Sequence, residues 1–230
     1  LFKCHNKTVC IKFDQLCDNH THCPLNDDEE HCTKEICPQE CSCFAAAAVC
    51  LALVTLENFM EHLAPNLKYL TIPSKQLVIH SHDIFPHALE HVIILNISSN
   101  IVKYLCLADK KFKLFKHLRN LQLFDASVNQ ITIIYQDCFY GAYRLERLSL
   151  SKNMIHHIAV HSLAGLINLK DLDLSENRIT YLQNGIFEGP YELNQLNLVK
   201  NRISDIDIEI FKFLKVNYIV SENYRLCCLS

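Results

Sequence analysis

Apolar and polar positions along this chain follow a frame that returns at a fixed interval. Leu169, Leu172, Leu174, Ile179, Leu182 and Phe187 are arranged around Asn177, and Leu193, Leu196, Leu198, Ile203, Ile206 and Phe211 are arranged around Asn201 in the same order. Asn129, Asn153, Asn177 and Asn201 stand 24 residues apart. A constant period in the twenties means that each unit hides its apolar side only against its neighbours, so the units stack into a solenoid. Each unit predicts one short strand whose leucines turn inward while the residues between them line an open face. The recurring asparagine lies at an inward-reading position, and its amide is expected to bond backbone groups where the chain bends.

Traced backwards, Leu67, Leu70, Ile72, Leu77 and Phe85 form a unit with Lys75 in place of the asparagine. Val92, Leu95, Ile97, Asn100, Val102 and Leu105 form the next. Asn100 and Asn129 are 29 residues apart, so the basic stretch Lys110 to Lys116 is expected to bulge from the convex side. Leu121, Phe124, Ala126, Asn129, Ile131, Ile134 and Phe139 restore the rhythm, and a shortened unit with Asn223 runs from Leu214 to Leu226. The frame therefore occurs in seven units, more than the ~3 that bury a continuous core. It is similar to leucine-rich repeats. The fold expected is an α/β-type leucine-rich-repeat solenoid with a parallel concave sheet, preceded by a small disulfide-rich module. Such a sheet is a surface for gripping a macromolecule rather than a pocket for chemistry.

Half of the residues are hydrophobic and 20% are charged, which suits a folded chain. Net charge is -3 without any block of like charge, which argues against nucleic acid or a lipid surface as partner. Nine of the thirteen cysteines precede residue 51, pointing to an oxidising compartment. Glycosylation sequons begin at Asn6, Asn19 and Asn96, the last on the open face. The longest apolar run, Phe44 to Leu56, is shorter than the ~20 residues that span a bilayer and reads as a buried cap strand. The consecutive alanines Ala45 to Ala48 have no explanation in the sequence. The chain opens at Leu1 inside a cysteine module with no secretory leader, as expected of a mature or trimmed product.

Residues 1–32 carry Phe2-x-Cys4, Cys10-Ile11, Cys17-Asp18, Cys23 and Asp28-Glu29-x-x-Cys32. This pattern resembles the LDL-receptor class A module. The resemblance implies bridges Cys4–Cys23 and Cys17–Cys32, with Cys10 lacking its partner. It also implies one Ca²⁺ held by the carboxylates of Asp18, Asp28 and Glu29 and the backbone carbonyls of Gln15 and His20. His22 stands where the family has a fourth carboxylate, and imidazole is a poor ligand for a hard cation, so binding is expected to be weak. A linker of residues 33–36 leads to residues 37–63, where Cys37-Pro38-x-x-Cys41-x-Cys43 and Cys50 resemble the N-terminal cap of extracellular repeat proteins. That cap implies Cys37–Cys43 and Cys41–Cys50. Cys106 and Cys138 fall on adjacent return segments, where a bridge and two buried thiols are both open. Repeats occupy 64–226, and 227–230, with Cys227 and Cys228, begin a hinge whose partners are expected beyond Ser230.

The class A module, cap, repeats and the ending Asn223-Tyr224-Arg225-Leu226-Cys227-Cys228 together resemble relaxin-family peptide receptors, the type C leucine-rich-repeat-containing G-protein-coupled receptors. The resemblance implies an ectodomain on the outer face of the plasma membrane that captures a relaxin- or insulin-like hormone. The class A module then acts on a seven-helix domain coupled to a heterotrimeric G protein. The family's acidic hormone contacts fall on Asp125, Asp171 and Asp173, and its apolar patch falls on Tyr69, Thr71, Ile94 and Asn96. From the strand pattern alone, Asp171 and Asp173 are roughly 7 Å apart on one face with Asp125 two strands away. Such a cluster suits two arginines one helical turn apart on a peptide. Arg147, on the strand between, offers the opposite reading of a neutralised, ordinary solvated face. The linker is short and the repeats fewer than in vertebrate members, which leaves a secreted or anchored adhesion protein of the same modules as the second class. Enzyme chemistry finds little support. His80, His82, His87 and His91 lack the glutamate of a zinc protease, His156, His157 and His161 read as solvated, and four glycines make no phosphate loop.

Overall fold

The computed structural model describes residues 2–4, 9–11, 15, 20–29, 38, 41–44, 46–51, 67–80, 85, 89–108, 113–206, 208–211, 214 and 218–220. Strands β1 (Phe2–Lys3) and β2 (Cys10–Ile11) pair antiparallel in the N-terminal module. Strands β3 (Cys41–Phe44) and β4 (Ala47–Cys50) form an antiparallel hairpin at the cap. The apolar run from Phe44 therefore belongs to two strands rather than one. β4 then begins a parallel series through β5 (Tyr69–Thr71), β6 (Ile94–Asn96), β7 (Leu123–Asp125), β9 (Arg147–Ser149), β11 (Asp171–Asp173), β13 (Gln195–Asn197) and β15 (Tyr218–Val220). The chain is a leucine-rich-repeat solenoid with a parallel sheet on its concave side.

Three-residue strands suffice because each from β5 to β13 in this sheet is bonded on both sides. The middle residue of each, such as Leu70, Leu95, Phe124, Leu148, Leu172 or Leu196, is buried, and its two neighbours face out. Return segments are turns with short parallel pairs β8 (Ile133–Ile134) with β10 (His157–Ile158) and β12 (Tyr181–Leu182) with β14 (Asp205–Ile206), followed by a 3-10 turn at Ile208–Phe211.

The asparagines hold the bends together. Asn177 accepts from Ile155 N–H at 2.9 Å and donates to the carbonyls of Leu150 at 2.9 Å and Leu174 at 3.0 Å. Asn100, Asn129, Asn153 and Asn201 repeat this pattern in the other turns. Each amide thus satisfies donors and acceptors of two turns that would otherwise be buried unpaired, a cost of about 1–3 kcal/mol per group. In the first unit the expectation of Lys75 is corrected: Lys75 is exposed. The buried Ser74 fills the space instead, donating to Asn100 Oδ1 at 2.8 Å and accepting from Gln76 N–H at 3.2 Å. A charged ammonium is too costly to bury there, whereas a hydroxyl supplied with these two partners is not.

The insertion is also corrected. Leu114 and Phe115 are fully buried rather than bulging, and Leu114 C=O accepts from Phe85 N–H at 3.0 Å. Phe115 packs on Phe85, Phe124 and Phe139 at centroid distances of 6.0, 5.1 and 5.3 Å, joining three turns. It is this unit's counterpart of Phe139, so the extra residues precede Lys113. Gly141 (φ 107°) lies against this segment, where a Cβ would come 2.3 Å from Phe115 C=O.

Candidate functional site: the concave face

Strand register sets the face in two rows. One row runs Ala47, Tyr69, Ile94, Leu123, Arg147, Asp171, Gln195, and the other continues Thr71, Asn96, Asp125, Ser149, Asp173, Asn197. Between β7 and β13 the face is an open groove of about 610 Å³, whose lining includes Asp125, Arg147, Ser149, Asp171, Asp173 and Asn197. Asp125 and Asp173 flank Ser149, which places their Cα atoms two strand spacings apart, about 10 Å.

The three carboxylates are not equivalent. Asp171 Oδ2 pairs with Arg147 Nε at 3.3 Å, because the register puts Arg147 directly beside it. Of the two readings that Arg147 left open, engagement of a carboxylate is what is seen at Asp171. Both side chains are well exposed, at 38% and 67%, a setting in which an ion pair contributes about 0–1 kcal/mol. Asp125 Oδ1 accepts from Ser127 N–H and Asp173 Oδ1 from Ser175 N–H, each at 2.9 Å. Asn96 and Asn197 make the same turn to Ser98 and Val199. These Asx turns end the strands. Among the described residues, Asp125 and Asp173 take part in no ion pair, and both line the groove. The signal for this structural duty was available in the run of Asn, Asp, Ser, Asp and Asn at positions 96, 125, 149, 173 and 197.

At the other end, Ile94 stays half-buried on the face, but Tyr69 is packed against the small core that Cys4, Ile11 and Cys23 share with Ala47. Burial pushes the Tyr69 hydroxyl above its ordinary pKa.

Within the module, Cys4 is bonded to Cys23 and Cys10 is free and exposed. Cys41–Cys50 closes the cap hairpin and Cys106–Cys138 joins two turns. Cys43 is disulfide-bonded, while Cys17, Cys32, Cys37, Cys227 and Cys228 lie outside the described residues, as do Asn6, Asn19 and Asp18. Asp28 is fully buried and accepts from His22 N–H at 2.5 Å, Glu29 is half-buried, and Gln15 Nε2 lies 3.3 Å from His22 Nδ1. A buried carboxylate beside further acidic groups in a tight loop fits a hard cation. Cys4, Cys23 and Asp27 also cluster, but the two sulfurs are bonded to each other and are lost as thiolate ligands.

Residues 143–203 match the family model described as Leucine rich repeat. No curated protein matches the chain. Solved structures share the fold. One is a chain of the octameric complex of Latrophilin 3, Unc5D and FLRT2, in which FLRT2 supplies the repeats, at 20% identity and TM-score 0.62, covering 80% of this chain and 54% of that one. Another is from the TLR13–ssRNA13 complex, at 23% identity and TM-score 0.54, covering 70% and 24%. A third is from the Drosophila Toll–Spatzle complex, at 18% and 0.53, covering 67% and 23%. The chain spans about half the length of the first and about a quarter of the other two. Among the described residues no helix is long and apolar enough to cross a membrane.

Proposed function

We propose that this chain is the extracellular ligand-binding region of a peptide-hormone receptor, and that its concave face captures a relaxin- or insulin-like peptide through arginine side chains. The observation that supports this reading is the register that sets Asp125 and Asp173 on either side of Ser149, with Asp171 two residues away. Guanidinium groups match carboxylates with paired hydrogen bonds, each worth roughly 1.5–3 kcal/mol. Arg147 is a weak competitor, because its exposed pair with Asp171 costs little to exchange for an incoming arginine. The three solved relatives are complexes by name, which agrees with a binding role and selects no partner. In the full-length receptor the resemblance adds a seven-helix domain, a G protein and the plasma membrane. In the module, Asp18, Asp28 and Glu29 with the carbonyls of Gln15 and His20 hold Ca²⁺, weakened by His22.

The test is the double variant Asp125→Asn and Asp173→Asn, titrated with a helical peptide bearing two arginines one turn apart. Asparagine keeps the Oδ1 acceptor that Ser127 and Ser175 require, so the fold is preserved while the charge is removed. Affinity is expected to fall by more than tenfold, and an unchanged affinity rejects the reading. Seven apolar stretches of about 20 residues downstream in the gene would separate a signalling receptor from an adhesion protein of the same modules.

A further inference from the structure

The N-terminal module and the first solenoid strands share one small core. Cys4, Ile11, Cys23 and Ala47 are buried together at 1%, 5%, 1% and 2% exposure, with Val9 and Tyr69 packed against them. Ala47 and Tyr69 are register partners, so both belong to the row of the concave face that continues through Ile94 and Leu123. From Tyr69 to Gln195, every other member of that row is half-buried or exposed. An alanine on an open sheet face has too little side chain to hide itself. Ala47 is instead buried in one core with the Cys4–Cys23 disulfide and Ile11. Ala48, one residue on, pairs with Leu70 and faces the solenoid core. β4 is thus covered on both faces, and small residues let both covers approach closely. A larger side chain at 47 would hold the module off the sheet.

We infer that the N-terminal module is docked on the start of the concave sheet, seated on Ala47 and flanked by Tyr69, and that it forms the end wall of the ligand groove. The alanine run then has a purpose, at least at positions 47 and 48. Tyr69 is withdrawn from the ligand surface, which begins at Ile94 and runs to Asn197. Only this last consequence rests on the peptide-binding reading; the contact is read without any peptide.

The experiment is nitration of the intact chain with tetranitromethane, following Tyr69 by mass spectrometry of the digest against the exposed Tyr181 as reference. Ile11→Ser loosens the module side of the contact and leaves the solenoid's own packing untouched. It is expected to speed nitration of Tyr69 several-fold relative to Tyr181, as is Ala47→Arg from the solenoid side. Leu25→Ser, at an exposed module position, is expected to leave the ratio as in the parent chain. An unchanged ratio in Ile11→Ser overturns the docking whatever Ala47→Arg shows, because a response confined to Ala47→Arg reports damage to β4 alone.

Discussion

Along one row of the concave sheet, Ala47, Tyr69 and Ile94 are apolar, whereas Arg147, Asp171 and Gln195 are charged or polar. The backbone behind the row differs in the same direction. From Asn100 onward each bend is held by a buried or half-buried asparagine that bonds its own turn and the one before, whereas the first unit has no such asparagine and places Ser74 against Asn100. The asparagine-bearing turns leave their face open to solvent. The first unit departs from the motif, and the apolar face at that end is covered by a separate module. A repeat protein can therefore relax its motif at one end where another part of the chain covers it.

This contrast can be broken most directly at the bends. Asn177→Ala removes one acceptor and the donor to three carbonyls in a site 5% exposed, and is expected to cost about 3 kcal/mol in denaturant unfolding. Ser74→Ala is expected to cost about 1 kcal/mol, since Asn100 still bonds Leu77 N–H and Ile72 C=O. Equal losses at the two sites would show that the first bend is no weaker. Next in size is Val128, a β-branched residue held at φ 55°, where the equivalent positions carry Ser99, Lys152, Glu176 and Lys200. Val128→Asn is expected to stabilise the chain by about 1 kcal/mol, since asparagine tolerates the left-handed region. A lower melting temperature in that variant would mean that the exposed valine makes a contact worth more than its strain.

Smaller effects sharpen the two faces. Arg147→Ala is expected to tighten a cationic peptide by about 0.5 kcal/mol by releasing Asp171 from an exposed pair. Weaker binding would instead make Arg147 a ligand contact. At the covered end the sign follows from Tyr69, whose pKa is raised by burial. The docked contact is fully present below the ordinary tyrosine range and is lost as pH rises through the raised value, because the phenolate must be solvated. Ultraviolet titration should show Tyr69 ionising late in the parent chain and in the ordinary range in Ile11→Ser.

Much of the fold was legible because a period of 24 with an asparagine leaves few ways to bury the leucines. The frame failed where composition misled. Lys110 to Lys116 reads as solvated, yet Leu114 and Phe115 within it are core. Lys75 occupies the counted position, but burial selected Ser74 beside it. At the site, the strand pattern placed Asp125, Asp171 and Asp173 on the open face. It did not show which was engaged, since pairing of Arg147 with Asp171 and the turns at Asp125 and Asp173 depend on side-chain geometry.

By itself the sequence determined the stacking of repeats, the inward leucines and the outward row of polar residues, because periodicity acts between near neighbours and needs no knowledge of the rest of the chain. Only the tertiary structure decided what lies over that row. Whether Ala47 and Tyr69 meet solvent or the Cys4–Cys23 bridge is set by packing between parts of the chain distant in sequence, and no local pattern encodes it.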